Sequence, residues 1–337
     1  MPDGIHVPGV TSWMQGLVPT LRPPLRFDVI AGGRSNVTYR MTDAHGGAWV
    51  LRRPPFGHLL ATAHDMEREH RIVTALTSTE IPVAPVVGLC IDKAVNGAPF
   101  YVMQFVNGTV IRDPEEGRAL APRVRMRASQ SLVDVLARIH AIDPDAVGLG
   151  DLGRKEAYVA RQLKRWHTQF EASACSDVQL VHDLHTSLSE QVPPQGPAAI
   201  VHGDYRLDNC MLDQSGEVLA VLDWELCTLG DPLADVGLLL AYWSEPGDKF
   251  TALAGSPTQV EGFASRREVL DRYAEASGRD VSRIDYYTAL GYWKVACIMA
   301  GIYTRRMEDS RNDGTDVETF RTQVSSMAEM AAQMLDH

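Results

Sequence analysis

Apolar and polar positions alternate over short runs in the first hundred residues, which is the pattern of a small antiparallel sheet. Turns at 32–36 and 43–47 separate the first three runs, and an Asn-Gly turn at 96–97 joins the last two. The predicted strands are 27–31, 37–42, 48–53, 86–91 and 99–106, and a stretch of helical spacing covers 64–76. One helix lying against a five-stranded sheet is therefore expected.

Beyond residue 108 the apolar spacing becomes that of long helices. The predicted helices are 123–141, 155–171, 176–191, 232–243, 261–277, 284–308 and 316–335, with strand-like hairpins inserted near 201–223. Asp231 is a good cap for the helix at 232, and Pro232 suits its first position. We expect an α+β protein with an N-terminal lobe at 1–106, a hinge at about 104–108 and a mainly helical lobe at 107–337.

Composition narrows the possible partners. The formal charge of −11 over 337 residues argues against a nucleic-acid or membrane-surface partner, and no run of eighteen apolar residues predicts a spanning helix. Five scattered cysteines without a Cys-x-x-Cys pair indicate free thiols, and residues 1–27 do not have the pattern of a signal peptide. A cytoplasmic protein that acts on a small molecule is expected, and its oligomeric state stays open.

Three polar residues between 201 and 235 have the spacing that phosphoryl transfer requires. Asp204 and Asn209 share a short loop, and Asp223 ends the apolar run 218–222. A carboxylate at Asp204 can orient an accepting hydroxyl, while the Asn209 amide oxygen and the Asp223 carboxylate can hold magnesium on the phosphates of ATP. Singly, each residue is also explained as a turn or cap residue, so their joint occurrence carries the prediction. His202 fits a packed structural imidazole better than a base.

The motif His-Gly-Asp-x-x-x-x-Asn at 202–209, with Leu-Asp-Trp-Glu at 222–225, resembles the aminoglycoside phosphotransferase family. The turn Gly-Gly-Arg-Ser-Asn at 32–36 and Leu-Arg-Arg-Pro-Pro at 51–55 are similar to the kinase-like domains associated with acyl-CoA dehydrogenases. This resemblance covers nearly the whole chain and implies a bilobal, protein-kinase-like fold. No flavin-site or Walker-type pattern is present, so a flavin-dependent dehydrogenase is only a third hypothesis.

The resemblance also implies roles for residues that bind the donor, ATP. Residues of the first lobe would cover or contact the phosphates of ATP, or bind its adenine. Because strand register cannot be fixed from sequence, Arg53 and Glu67 are alternatives to Arg52 and Glu69. These residues are Gly32, Gly33, Ser35, Asn36, Arg52, Glu69, Gln104 and Val106. Asp231 and Asp235 would cap a helix and brace the catalytic loop.

The acceptor is less well defined by the sequence. Arg161 and Arg165 lie in a basic helical stretch, where they would suit a phosphate-bearing acceptor such as a hydroxyacyl-CoA or would form a solvated face. A small-molecule kinase is therefore the leading hypothesis, with hydroxyacyl-type metabolites ahead of antibiotics. The alternative is a nucleotide-binding or ligand-binding member of the fold without catalytic activity.

Overall fold

A computed structural model of the chain describes residues 4–31, 36–55, 65–252, 255–308 and 317–336. The chain divides into two compact units, of which the first is Met1–Gly108 with Leu219–Glu225 and the second is Thr109–Val218 with Leu226–His337. The segment Leu219–Glu225 interrupts the second unit in sequence and groups with the first. Long-range packing decides this assignment, and local spacing cannot show it.

The first unit is built on a five-stranded antiparallel sheet with the strand order β1-β2-β3-β5-β4. Its strands are β1 Arg26–Ala31, β2 Val37–Thr42, β3 Ala48–Arg53, β4 Val86–Cys90 and β5 Phe100–Gln104. All five lie within a few residues of the runs that alternation predicts. The register pairs Arg52 of β3 with Thr38 and Tyr101, which places Arg52 on a central strand of the sheet.

Among the described residues of the first unit, three helices accompany this sheet. They are α1 Val7–Leu17, α2 Met66–Thr77 and α3 Lys93–Asn96. Helix α2, predicted at 64–76, begins where the Asp65 side chain accepts a hydrogen bond from the Arg68 backbone N–H. Helix α1 is not predicted, because its early proline suggests a break; Pro8 lies in the first turn, where a missing N–H costs no helical hydrogen bond. Val10 and Met14 of α1 are buried in the core of this unit.

The second unit is mainly helical. Its helices are α4 Pro114–Ala119, α5 Pro122–Ala141, α6 Tyr158–Glu171, α7 Gln179–Glu190, α8 Pro232–Tyr242, α9 Arg266–Ser277, α10 Ile284–Glu308 and α11 Val317–Leu335. Its short strands are β6 Thr109–Val110, β7 Ala199–Val201, β8 Cys210–Leu212 and β10 Thr228–Gly230; β9 Val218–Val221 starts in this unit and continues into the first. The antiparallel pairs β6 with β8 and β7 with β10 frame the loop that follows β7.

Helices α8 and α10 approach each other closely because two glycines lie between them. A Cβ atom added at Gly237 would lie 2.2 Å from the Tyr287 carbonyl oxygen, and one at Gly291 would lie 2.8 Å from the Gly237 carbonyl oxygen. Asp231 caps α8 through the Leu233 N–H, as the sequence predicts. This close packing fixes where the side chains of α10 lie with respect to α8.

The structure also describes the cysteines and the hydropathy of the helices. All five cysteines are free and buried. Among the helices of the described residues, none has both the length and the apolar character needed to cross a lipid bilayer.

Candidate active site

The loop after β7 contains a glycine that no larger residue can replace. β7 is fully buried, and Gly203 follows with φ of +85°, a conformation that favours glycine. A Cβ atom at Gly203 would also lie 2.8 Å from the Leu226 carbonyl oxygen. Asp204 comes next, and a 3-10 turn at Leu207–Asn209 leads into β8. Glycine is therefore required immediately before the predicted catalytic carboxylate.

Asp235 of α8 holds this loop from within the second unit. Its carboxylate accepts hydrogen bonds from the backbone N–H of His202 at 2.6 Å and of Gly203 at 2.9 Å. His140 lies 3.4 Å from the same carboxylate and contacts the Tyr273 hydroxyl at 2.7 Å. Burial raises the pKa of Asp235, but the hydrogen bonds from His140 and from the Gly203 N–H outweigh it and the net pKa is lowered. The bracing role predicted for Asp235 is thus matched by direct contacts.

The Asp204 carboxylate is fixed by two neighbours on the same loop. Asn209 donates from Nδ2 to the Asp204 carbonyl oxygen at 2.8 Å and to Oδ2 at 3.1 Å. Arg206 donates from Nε to Oδ2 at 3.3 Å and also pairs with Asp208 at 2.7 Å. The Asp204 side chain remains 23% exposed, so it is both oriented and accessible. The backbone N–H of Asp204 lies 3.3 Å from Nδ1 of the fully buried His202, which gives this histidine a structural contact.

Arg206 is a half-buried cation that lies near two carboxylates and an aromatic ring. Its Cζ lies 5.2 Å from the ring centroid of Tyr242. Burial lowers the pKa of Arg206, but the attraction of Asp204 and Asp208 outweighs this and raises the net value. Burial raises the pKa of Asp208 in turn. Arg206 therefore compensates two acidic groups that would otherwise repel each other across the loop.

In the first unit, Arg52 is the centre of a separate charged cluster. It pairs with Glu69 of α2 at 2.8 Å and with Asp223 at 2.5 Å, and the Tyr101 hydroxyl donates to Glu69 at 3.0 Å. Burial lowers the pKa of Arg52, but the attraction of these carboxylates outweighs it and the net pKa is raised. Of the partners that strand register left open, the structure pairs Arg52 with Glu69. Arg53 bonds instead to the carbonyl oxygens of Pro54 and Gly4.

Asp223 has a backbone conformation that is uncommon for a residue with a side chain. Its φ of 62° is in the left-handed region, where only Ala157 joins it among the described non-glycine residues. Asp and Asn tolerate this region better than other residues because their short side chains can bond locally. Such outliers persist where the surroundings hold them, often at functional positions. The turn directs the Asp223 carboxylate to Arg52.

The remaining predicted donor residues are partly described. Gly32, Gly33 and Ser35 lie outside the described residues, whereas Asn36 is buried and donates to Glu69 at 3.2 Å and to Glu225 at 3.5 Å. The Gln104 N–H donates to the Pro85 carbonyl, so it is not available to a nucleotide base. Within the described part of the chain, the Val106 N–H has no protein acceptor. Of the two residues predicted to contact adenine, Gln104 is thus the one whose backbone N–H is already paired.

Arg161 and Arg165 lie against aromatic rings of α6. The Cζ of Arg161 is 6.0 Å from the Tyr158 ring centroid, and that of Arg165 is 5.3 Å from the Trp166 ring centroid. Both rings are buried and line a cavity in the second unit together with Lys294. Neither arginine belongs to the lining of that cavity, but each lies near a ring that does.

A sequence model of the phosphotransferase enzyme family matches residues 26–287, well over half of the chain. The chain belongs to this phosphotransferase family. A structure from Ralstonia eutropha JMP134, named as a candidate aminoglycoside phosphotransferase, is 31% identical with a TM-score of 0.83 over 98% of both chains. The protein-kinase-like fold predicted from sequence is confirmed by this similarity.

Two further comparisons for this phosphotransferase family member are a longer curated protein and a solved structure that shares the fold. Acyl-CoA dehydrogenase family member 10 of Mus musculus is 36% identical over 315 residues, which are 91% of this chain and 28% of that protein. The chain spans from 28% to 42% of the length of its curated relatives. An aminoglycoside phosphotransferase crystallised with AMP-PNP and hygromycin B shares the fold, with 17% identity and a TM-score of 0.61 over 96% of this chain and 99% of that one.

Several contacts of this phosphotransferase were not predicted from sequence. Arg206 stands at an unassigned position of the catalytic motif, and His140, Tyr273 and Lys294 belong to distant helices. Of these, Lys294 could have been found from sequence, because it is a lone lysine within the apolar run around Tyr292 and Trp293. Among the described residues, no cluster of three or more His, Cys, Asp or Glu side chains forms a metal site.

Proposed function

We propose that the protein is an ATP- and magnesium-dependent phosphotransferase that moves the γ-phosphate onto a hydroxyl group of a small molecule. One observation carries the proposal: Asp204, in the His-Gly-Asp-x-x-x-x-Asn loop of a phosphotransferase family member, is oriented by Asn209 and Arg206 while staying accessible. A carboxylate fixed in this way can align an acceptor hydroxyl for attack.

In the proposed reaction the acceptor oxygen attacks the γ-phosphorus, and the bond from that phosphorus to the bridging oxygen of the β-phosphate breaks. The hydroxyl proton passes to Asp204 and then to solvent, and ADP leaves with the electron pair of the broken bond. Asp235 serves this step indirectly, because it holds the backbone on which Asp204 stands. Orientation of the hydroxyl is the larger part of the role of Asp204.

The donor atoms of two residues fit magnesium. Asn209 uses its amide nitrogen on Asp204, which leaves Oδ1 as a neutral ligand, and Asp223 offers an anionic one. Hard oxygen ligands of this kind are those that magnesium takes when phosphates and waters complete its coordination. When bound, the ion neutralises charge on the phosphates. We assign Asn209 and Asp223 to it.

The other donor assignments are part of the same proposal. Arg52, held by Glu69, would contact the nucleotide phosphates, and Gly32, Gly33, Ser35 and Asn36 would cover them. The Val106 backbone would bind adenine. A cytoplasmic location is supported by the five buried free thiols, since such cysteines are usual in reducing compartments.

For the acceptor, hydroxyacyl-type metabolites rank ahead of antibiotics. The curated relatives are named for acyl-CoA dehydrogenases, and the cations Arg161 and Arg165 lie beside the cavity walls. A cationic aminoglycoside would be repelled by these arginines. Hydroxy acids and their coenzyme A thioesters are therefore the first acceptors to test, followed by sugars and amino alcohols.

The test is phosphorus NMR of ATP and magnesium incubated with each acceptor. We expect a new phosphate ester with at least one acceptor, and Asp204→Ala should reduce its formation about 10²–10⁴-fold without weakening binding of AMP-PNP. Asp213→Asn is a matched control, because Asp213 only closes an exposed turn through Ser215 and Glu217. Undiminished turnover by Asp204→Ala would remove this residue from its assigned role.

One observation favours the second candidate, a nucleotide-binding or ligand-binding protein without transfer activity. Arg52 bonds directly to Asp223, the carboxylate assigned to magnesium. If this pair persists when nucleotide binds, the metal loses its anionic ligand. AMP-PNP binding together with no phosphate ester on any acceptor would support that candidate over phosphotransfer.

A further inference from the structure

Lys294 is a cation that the proposed phosphotransfer leaves without a role. It lies half-buried on α10 between the buried residues Trp293 and Val295, and its Nζ donates to the Gly203 carbonyl oxygen at 2.7 Å. That carbonyl belongs to the peptide group that joins Gly203 to Asp204. A lysine far away in sequence is thus bonded to the peptide group that leads into the residue proposed to orient the acceptor hydroxyl.

Gly203 is the point at which this part of the loop could turn most easily. Its φ of +85° is in a region that glycine occupies freely, and the lack of a Cβ atom leaves both of its backbone torsions with few steric limits. The direction of the Asp204 side chain follows from those torsions. Hydrogen bonds to the peptide groups on both sides of the glycine must therefore fix it.

Side chains from two helices hold these two peptide groups. On the N-terminal side, Asp235 of α8 accepts from the Gly203 N–H at 2.9 Å. On the C-terminal side, Lys294 of α10 donates to the Gly203 carbonyl oxygen. The two contacts complement each other, because a carboxylate can only accept hydrogen bonds and an ammonium can only donate them. Asp235 fixes the torsion before the Gly203 Cα, and Lys294 fixes the torsion after it.

The peptide group between Gly203 and Asp204 has one other hydrogen-bonding contact within the described part of the chain. The Asp204 N–H lies 3.3 Å from Nδ1 of His202, which is a longer contact made inside the loop itself. Such a contact moves with the loop and does not tie it to the helices. Lys294 is the side chain that joins this peptide group to the helical framework of the second unit.

The packing of α8 against α10 places both of these side chains at the loop. Gly237 lies two residues after Asp235, and Gly291 lies three residues before Lys294. A Cβ atom at Gly291 would lie 2.8 Å from the Gly237 carbonyl oxygen, so a larger residue would push the helices apart. The close approach of the two helices thus determines how far Asp235 and Lys294 are from the same glycine.

The charge of Lys294 is balanced within the second unit. Burial lowers the pKa of Lys294; the attraction of Asp204 and Asp235 opposes this shift, and Arg165 of α6 adds to it. The Trp166 ring centroid lies 5.4 Å from Nζ, within the range of a cation–π contact. The two carboxylates and the ring favour the ammonium form, whose hydrogen bond to a carbonyl oxygen is stronger than that of a neutral donor.

We propose that Lys294 is a positioning residue for phosphotransfer: by holding the peptide group between Gly203 and Asp204, it fixes the direction in which the Asp204 carboxylate faces the acceptor hydroxyl. This inference rests on the proposed function. It gives Lys294 no contact with the acceptor and no part in proton transfer. Its effect should be on kcat, because a reacting group displaced by about 1 Å can lose about 10²-fold in rate.

The kinetic test compares wild type with Lys294→Met and Lys294→Arg on an acceptor that wild type phosphorylates. Methionine fills much of the space of the lysine stem but has no donor, so we expect kcat to fall about 10–100-fold and KM for ATP to change less than about threefold. Arginine keeps a cationic donor and should recover part of the loss. Lys249→Met, at an exposed lysine of the second unit, controls for the lost charge and should leave kcat and KM unchanged.

Two kinetic results would overturn the positioning role. A wild-type kcat in Lys294→Met would show that the direction of Asp204 is fixed without the lysine. A higher KM for ATP at unchanged kcat would place Lys294 in nucleotide binding instead. If Lys294→Met folds poorly, Lys294→Gln provides the same comparison, because its side chain is polar but one bond shorter than that of lysine.

Hydrogen–deuterium exchange without ATP keeps this inference separate from the proposed reaction. In Lys294→Met the amides of residues 202–209 should exchange faster, while those of α8 and α10 keep their wild-type rates. Faster exchange spread evenly over the second unit would mean that Lys294 acts on general stability, and the positioning role would be wrong. If the loop alone exchanges faster but wild type forms no phosphate ester with any acceptor, the contact of Lys294 with the loop stands and phosphotransfer is wrong.

Discussion

The carboxylate of Asp235 accepts a hydrogen bond of 2.6 Å from the backbone N–H of His202. The two residues are 33 positions apart, and both are buried. A second bond of 2.9 Å from the Gly203 N–H completes the pair, so one carboxylate fixes the two peptide groups before Asp204. The conformation of the loop thus depends on a residue of α8 that has no chemical part in phosphotransfer.

The substitution Asp235→Asn tests this bracing. The amide keeps one oxygen but turns an NH₂ group toward a backbone donor, so one of the two hydrogen bonds is lost. We expect a loss of about 1–3 kcal/mol in the free energy of unfolding and a kcat reduced about tenfold or more, with little change in KM for ATP. Urea unfolding and steady-state kinetics measure both effects.

A matched control for that substitution is Asp231→Asn, since asparagine caps a helix as well as aspartate does. Asp231 caps the same helix through the Leu233 N–H. If Asp231→Asn lowered kcat as much as Asp235→Asn, general damage to α8 would explain the effect and the bracing role would be refuted.

Local patterns were enough to predict most of the secondary structure. Strand β2 alternates in sequence, and α8 carries its own start signal in Asp231 and Pro232, so both are encoded within a few residues. Helices α3 and α4 are too short for a periodic pattern to show, and they were not predicted. The grouping of Leu219–Glu225 with the first unit depends on contacts across more than a hundred residues.

In the candidate site, too, some contacts can be predicted from spacing along the sequence and others depend on how the elements pack. Asp204 and Asn209 lie in one loop, so their hydrogen bond is a local consequence of their spacing. Lys294, by contrast, reaches the loop only because α8 and α10 pack closely, and no spacing along the chain reports that distance. The Arg52–Glu69 pair lay between these cases: the residue types were predicted, but the register that selects them is a property of the sheet.

Two substitutions of Asp223 should separate the effect of its left-handed backbone conformation from the chemistry of its carboxylate. Its φ of 62° suits Asn but not Ala, which lacks a side chain that can bond locally. We expect Asp223→Asn to keep the left-handed turn but to weaken the ion pair with Arg52, and to lose most magnesium-dependent transfer. Asp223→Ala should cost about 1–2 kcal/mol of unfolding free energy relative to Asp223→Asn. Equal stability of the two variants in urea would show that the left-handed turn carries no strain.

Arg206 should be needed for stability mainly at neutral pH. Replacing it with Met leaves Asp204 and Asp208 without their cation, which should cost on the order of 3 kcal/mol. Burial already raises the pKa of Asp208, so without Arg206 this group takes up a proton more readily as the pH falls. The destabilisation relative to wild type should thus be smaller near pH 4.5 than at pH 7. A destabilisation independent of pH would contradict this account.

Gly237 should not accept even one added methyl group. The Cβ atom of Gly237→Ala would lie 2.2 Å from the Tyr287 carbonyl oxygen, so α8 and α10 must separate. We expect a loss of about 1–3 kcal/mol of unfolding free energy. Gly301→Ala in α10 is the control, because its Cβ meets only the flexible end of Arg305 and alanine favours the helix. Thermal melting that ranks Gly301→Ala below Gly237→Ala would contradict the packing argument.

His140 should make the stability of the protein depend on pH below about 6.5. Burial lowers the pKa of His140 from its ordinary 6.5, although hydrogen bonding to Asp235 opposes the shift. The unfolded chain then binds a proton that the folded protein does not, so stability is complete above about pH 6.5 and declines as the pH falls toward the folded pKa.

The measurement is urea unfolding between pH 7.5 and 5. The slope of the unfolding free energy against pH should be smaller for His140→Gln than for wild type. Tyr273→Phe removes the hydroxyl at 2.7 Å but keeps the buried imidazole, so it should lower stability while retaining most of the slope. Identical slopes for wild type and His140→Gln would assign the pH dependence to other groups.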